Sequence, residues 1–311
     1  MRPSLLLLLC LLHVLLLLGS CTQTETKGEV PQGQRMKIVT TTGILRDAVA
    51  NIVGDAADVE SIMGSGVDPH LYKATQGDLN KLTGADVIIY NGLHLEGKMG
   101  EILEKLSRQK TVIAAGEGIP TTDLRSSDQF QGSYDPHLWF DVSLWMQVVI
   151  HLSSELQKKD PQNTALYQQQ TSAYLRELSQ LHNEVKAEIA SIPDDQRILI
   201  TAHDAFGYFG DAYTIQVRGL QGISTVSEFG LQDVSSLVKF IVDHKIKAVF
   251  VESSVSPKAI EAVVEGSRQR GHQVQIGGTL YSDALGADGT PEGTYIGMVR
   301  YNVRTIVSSL K

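Results

Sequence analysis

The sequence predicts an α/β protein of two lobes, with parallel-type sheets flanked by helices and one long spine helix joining them. Three observations carry this. Short runs rich in β-branched residues alternate with helically spaced stretches in both halves of the chain, the signature of βαβ units. Residues 161–192 contain no strand signal and no internal Gly or Pro after Pro161, and place Tyr174, Leu178, Leu181, Val185, Ile189 and Ile192 at spacings of three and four. Finally, two near-identical turns, Asp68-Pro69-His70-Leu71-Tyr72 and Asp135-Pro136-His137-Leu138-Trp139, both fall before that stretch.

In chain order, residues 1–20 are expected to be a signal peptide. Arg2 is their only charge, and Leu5 to Leu18 is a nearly unbroken apolar run, shorter than the about 20 residues of a membrane span. Leu18-Gly19-Ser20-Cys21 resembles a bacterial lipobox, which makes Cys21 the expected lipidation site and first mature residue. Ordinary cleavage nearby is the alternative. Cys10 leaves with the leader, so no disulfide framework and no free catalytic thiol is expected. Residues 21–35 read as a polar, lipid-proximal tether.

The N-terminal lobe is expected over 36–158. Strands are read at Met36–Thr42, Val59–Met63, Ala85–Tyr90 and Lys110–Ile113, with helices at Ile44–Val53, from Thr75 as N-cap through Leu82, and at Gly97–Leu106. Gly116–Tyr134 reads as a long polar loop, and Val142–Lys158 as a helix. The spine is expected over 161–192, roughly 45 Å long at 1.5 Å per residue; a short coiled-coil segment is the alternative. The C-terminal lobe, 193–311, repeats the alternation. Its strands are read at Arg197–Thr201, Tyr213–Val217, Ala248–Val251 and Gln273–Ile276, and its helices at Val234–His244, Pro257–Arg270 and Thr294–Leu310.

The chain has 311 residues, 42% hydrophobic and 20% charged, enough for two lobes with their own cores. A formal charge of −8 gives no reason to expect nucleic acid as a partner.

Proline fixes its own φ and pushes the preceding Asp towards extended geometry, so each Asp-Pro-His presents its imidazole from a stiff turn. His203 follows the apolar Ile198-Leu199-Ile200, and Asp283 lies a few residues beyond Val274-Gln275-Ile276. Ligands of open α/β sheets bind outside the carboxyl ends of the strands. His70, His137, His203 and Asp283 therefore form a candidate metal site in the interlobe cleft, two ligands from each half. Three neutral imidazoles and a carboxylate suit Zn²⁺ and also accept Mn²⁺. A filled ligand shell favours holding an ion over catalysis on it. His94, His151, His182, His244 and His272 are read as surface or satisfied interior residues, with His94 in an attractive loop after a strand. Asp68 and Asp135 are ligands themselves or, in the preferred reading, orient their turns. Asp204 and Glu252 are read as strand-end polar residues with structural roles.

From Met36 onward the chain resembles the cluster of proteins that bind metal for bacterial zinc and manganese ABC importers, the TroA-type members most. The stretches that carry this are Asp68 to Thr75, Tyr90 to Glu96, Asp135 to Asp141, Thr201 to Phe209, Gly219 to Gly222, and Gln275 to Gly278 with Ser282-Asp283. The resemblance implies the same four ligands, two lobes on one long helix, a lipid anchor on the periplasmic or extracellular face of a bacterial membrane, a monomer, and a permease with its ATPase as partners. Manganese-dedicated relatives tend to carry glutamate where this chain has His203, and zinc-dedicated ones often have a His-rich loop before the second ligand. Gly116–Tyr134 has no histidine, so the chain matches neither extreme. The implied role is capture of zinc or manganese and delivery to a membrane permease, with small lobe movements and release through the loop that carries His137. Two other classes compete with it. A secreted zinc hydrolase would use Glu252 or Asp204 as base, but no His-Glu-x-x-His motif is present. A surface adhesin has no sequence feature of its own.

Overall fold

The computed structural model describes residues 35–126, 133–227 and 229–311. The predicted leader, Cys21 and nearly all of the tether lie outside the described residues. Among those described, no helix is long and apolar enough to cross a membrane.

The N-terminal half is built on a four-stranded parallel sheet of β1 (Met36–Thr40), β2 (Ala57–Ser61), β3 (Val87–Tyr90) and β4 (Thr111–Ala114), in the order β2-β1-β3-β4. Its helices are α1 (Gly43–Val53), α2 (Gln76–Gly84), α3 (Gly100–Ser107) and α4 (Val142–Lys159). Thr75 caps α2 in a capping box with Asp78, as the sequence predicts. Asp141 caps α4 by accepting from the Ser143 and Leu144 amides. The expected loop Gly116–Tyr134 contains short 3₁₀ turns at Ala115–Gly118 and Thr121–Asp123, and an antiparallel bridge between Ser126 and Tyr134 closes it. Residues 127–132 lie outside the described set.

The C-terminal half pairs β5 (Ile198–His203) with β6 (Gln216–Gln221) and β7 (Ala248–Glu252) with β8 (Gln275–Leu280), all parallel, and β5 runs beside β7. Between them run α6 (Gly207–Tyr213), α7 (Leu231–Asp243) and α8 (Lys258–Gln269), and α9 (Tyr295–Leu310) closes the chain.

Besides β5, which starts one and ends two residues later than its predicted Arg197–Thr201, two of these strands begin and end later than the sequence predicts. Gln216–Gln221 stands where Tyr213–Val217 is expected, and Gln275–Leu280 where Gln273–Ile276 is expected. In both, glycines that read as strand breakers lie inside the strand. A Cβ on Gly219 would collide with the backbone of His203 and Asp204, so only glycine allows this close approach of two backbones. Gly278, at φ +150°, stands beside Phe250, where the β7–β8 register shifts. Helix α6 has no counterpart among the predicted elements; at 7 residues it is too short for a periodic signal.

The predicted spine is α5 (Thr164–Ala190), preceded by a 3₁₀ turn at Pro161–Asn163. Tyr167, Thr171, Tyr174, Leu178, Leu181, Val185 and Ile189 form its buried stripe. This stripe packs on α1, α4, α6 and α9 rather than bridging open space. One continuous apolar core therefore runs through both halves, from Met36 and Ile38 through Trp145 and Leu178 to Tyr295 and Leu310. The C-terminal half adds a second core around Ile200, Ile241, Val249 and Ile260.

Candidate metal centre

The four predicted residues arrive from four different segments. His70 sits in the turn after β2, His137 in the segment that follows β4, His203 ends β5, and Asp283 lies just past β8. One ligand atom from each lies within 4.8 Å of every other, and all four residues are buried. The imidazole rings stand edge to face, with centroids 5.3–5.9 Å apart. Asp283 Oδ1 is 3.5 Å from His137 Nε2, and Oδ2 is 3.5 Å from His203 Nε2. The three Nε2 atoms and Asp283 Oδ1 are buried without a hydrogen-bond partner. Buried polar atoms are rarely left unpaired, so four that converge on one point are what an ion-binding pocket requires.

The local sequence explains the aim. In each Asp-Pro-His turn the Asp carboxylate accepts the amide of its own histidine, at 2.8 Å from Asp68 to His70 and 3.0 Å from Asp135 to His137. Asp135 Oδ1 also receives His137 Nδ1 at 2.7 Å. Glu252, at the end of β7, does the same for His203. Its Oε1 accepts the His203 amide at 2.8 Å, and its Oε2 lies 2.6 Å from Nδ1. A carboxylate behind each Nδ1 turns Nε2 of both rings towards the cluster. The preferred reading of Asp68 and Asp135 as orienting residues therefore fits the geometry. Glu252, the hydrolase candidate for a base, faces His203 with both oxygens, Oε1 accepting its amide and Oε2 lying beside Nδ1.

His70 is held differently. Among the described residues no carboxylate is hydrogen-bonded to its ring, and it is the one cluster residue lining a groove of about 420 Å³ shared with His94, Tyr134, Pro136 and Val226. Asp68 Oδ2 accepts from Thr225 Oγ1 of the other half at 2.7 Å, tying the two rims beside His70. His94 is exposed, follows Gly92 and Leu93 in a run of positive φ, and does not join the cluster. That run is stabilised by buried Glu96, which accepts from Thr41 Oγ1 and from the Asn91 and Gly92 amides. Asn91 Nδ2 in turn donates to the Pro136 carbonyl at 3.0 Å, next to His137.

These surroundings hold the His137 segment on several sides. Asp135, Asn91 and Trp139 anchor its segment, Tyr208 of the C-terminal half donates to the Asp135 carbonyl, and its ring is fully buried.

Burial disfavours a charged His70 ring and pushes it down to about 3, although Asp283 opposes this. Burial also acts against charging His137, but Asp135 and Asp283 outweigh it and raise the ring to about 9. His203 is raised well above its usual value, since Glu252 and Asp283 overcome the same burial. For Asp283 burial opposes the charged form, and the facing His203 and His137 still hold it well below the ordinary carboxylate range.

Sequence reading missed Ser254, whose hydroxyl donates to Asp283 Oδ2 at 3.2 Å, and Ser282, whose Oγ lies 2.9 Å from that of Ser254. The available signal is a pair of polar residues, Ser253-Ser254, directly past the carboxyl end of β7.

Comparison with known proteins bears on the whole chain. A TroA structure from Treponema pallidum, a periplasmic zinc binding protein, superimposes with a TM-score of 0.87 at 46% identity, covering 89% of this chain and 99% of that one. In sequence, the zinc-binding protein TroA of Treponema pallidum (strain Nichols) is 45% identical over 301 residues, 97% of each chain. The manganese-binding lipoprotein MntA of Bacillus subtilis (strain 168) is 49% identical over 278 residues, 89% of this chain and 90% of the relative. Residues 38–309 match the family described as zinc-uptake complex component A periplasmic, ZnuA, and the chain belongs to that family.

Proposed function

We propose that this protein is the extracytoplasmic solute-binding component of an ABC importer, capturing zinc or manganese and handing the ion to a membrane permease driven by its ATPase. The observation that carries the reading is the convergence of four buried, unpartnered ligand atoms from both halves of the chain. His70, His137, His203 and Asp283 are its ligands. Three imidazole nitrogens and a carboxylate match the donor types of zinc and are acceptable to manganese. Relatives named for zinc and for manganese, both more than 40% identical, support a cargo of this class. In this reading Cys21 carries the lipid that holds a monomer on the outer side of a bacterial membrane, residues 21–35 are the tether, and the chain divides into lobes at 36–158 and 193–311 around the linking helix 161–192.

Elemental analysis of the purified protein and of His137→Ala tests this. The expected result is one tightly held zinc or manganese per chain, lost in the variant, with no hydrolytic activity. Full retention of metal by the variant would overturn the ligand assignment.

A further inference from the structure

The two oxygens of Asp283 are equivalent with respect to the histidines. Each lies 3.5 Å from one Nε2, so an ion among the imidazoles has both within reach. They differ in one respect. Oδ1 has no hydrogen bond, whereas Oδ2 accepts from Ser254 Oγ at 3.2 Å. A hydroxyl has one proton, and here Ser254 gives it to the carboxylate. The 2.9 Å contact between Ser254 Oγ and Ser282 Oγ must then run from Ser282 to Ser254. Ser282 is fully buried, and its carbonyl oxygen is held by Trp139 Nε1, which keeps the backbone of this short relay in place.

We propose that Ser254 is a specificity-determining residue, which makes the grip of Asp283 on the ion unequal and so favours zinc over manganese. The inference rests on the reading of the four residues as ligands. A lone pair shared with Ser254 makes Oδ2 the weaker donor and leaves Oδ1 as the firm one. Three nitrogens and one firm oxygen make four strong bonds, the number zinc prefers in tetrahedral sites. Manganese is held better by oxygen-rich shells of higher coordination, which a carboxylate chelating evenly through both oxygens supplies. The Ser254 hydroxyl reaches the cluster through its hydrogen bond to Asp283 Oδ2.

The test compares wild type, Ser254→Ala and Ser254→Thr. Zinc and manganese dissociation constants are measured by chelator competition, alongside visible spectra of Co²⁺-loaded protein, whose band intensity falls as coordination rises above four. In Ser254→Ala the manganese-to-zinc ratio of dissociation constants is expected to fall by about tenfold, the low end of the weight of one hydrogen bond to a charged group. The cobalt bands should weaken, and Ser254→Thr, which keeps the hydroxyl, should restore both. An unchanged ratio and spectrum in Ser254→Ala would overturn the proposal, as would a parallel loss of affinity for both ions. Its failure is distinct from that of the ligand reading. Wild type that holds no metal removes both, whereas wild type that binds, with His137→Ala that does not, leaves the ligand reading standing whatever Ser254→Ala shows.

Discussion

Trp139 Nε1 donates a 2.9 Å hydrogen bond to the carbonyl oxygen of Ser282, 143 residues further along the chain. Trp139 lies two residues after His137, and Ser282 immediately precedes Asp283. The same tryptophan accepts, at its own carbonyl, the hydroxyl of Tyr295 at 2.7 Å. One buried side chain thus ties the segment of His137 to that of Asp283.

Trp139→Phe keeps an aromatic ring and removes the donor, leaving the Ser282 carbonyl buried and unpaired. The expected cost is about 1–3 kcal/mol in stability, read from urea unfolding of the metal-free protein. Metal should also dissociate faster, since His137 and Asp283 lose their shared reference point. A variant with wild-type stability and wild-type release would show that the bond does not couple the two segments.

The continuous core around α5 predicts small relative movement of the halves. Trp145, Leu178 and Tyr295 belong to the same packed cluster, Arg46 pairs with Asp288, and Asp47 accepts from the Tyr295 amide. Sliding such a core costs packing throughout. Crystal structures of metal-free and metal-loaded protein are expected to differ by local shifts around His70 and Asp68, and a rotation of tens of degrees between the halves would contradict the expectation.

Asp135 and Glu252 brace the imidazoles from behind. Asp135→Asn and Glu252→Gln each put an amide where a carboxylate now faces Nδ1. Loss of such a partner lowers metal affinity by about 10- to 100-fold. Zinc titration against a competing chelator checks this. Asp68 holds the backbone amide of His70 and the Thr225 hydroxyl and not the His70 ring, so a substitution at Asp68 is expected to cost less.

The pH dependence follows from the same contacts. Carboxylates raise His137 to about 9 and His203 well above its normal value, so near neutrality the empty site carries protons on both rings. An incoming ion must displace them, which means affinity increases as pH rises, up to about 9 for His137. His70, pushed down to about 3, is neutral across this window and releases nothing. Calorimetry in buffers of different ionisation enthalpy should record proton release on zinc binding, and affinity independent of pH between about 6 and about 9 would contradict this account.

Much of this was legible in the residues because the physics is local. A proline after an aspartate fixes a turn, so His70 and His137 announced themselves twice over. The stripe from Tyr174 to Ile189 recurs at helical spacing and marked the long helix. Strand ends followed by polar residues pointed to His203 and Asp283. What sequence reading missed depends on contacts across the chain. Gly219 and Gly278 read as breaks because the backbone that presses on Gly219, and the strand whose register shifts beside Gly278, lie far away in sequence. Glu252 gave no sign that it would meet His203, 49 residues earlier, and Ser254 none that it would reach Asp283. Composition shows the polarity of the loop before His137 but not the anchors at Asn91 and Tyr208.

The central claim is that one ion is held by His70, His137, His203 and Asp283. Anomalous diffraction at the zinc edge from crystals of zinc-loaded protein tests it most directly. The account predicts a single strong peak about 2.0–2.2 Å from the Nε2 atoms of the three histidines and from Asp283 Oδ1. A peak elsewhere, or one that omits either Asp283 or two of the histidines, would contradict it.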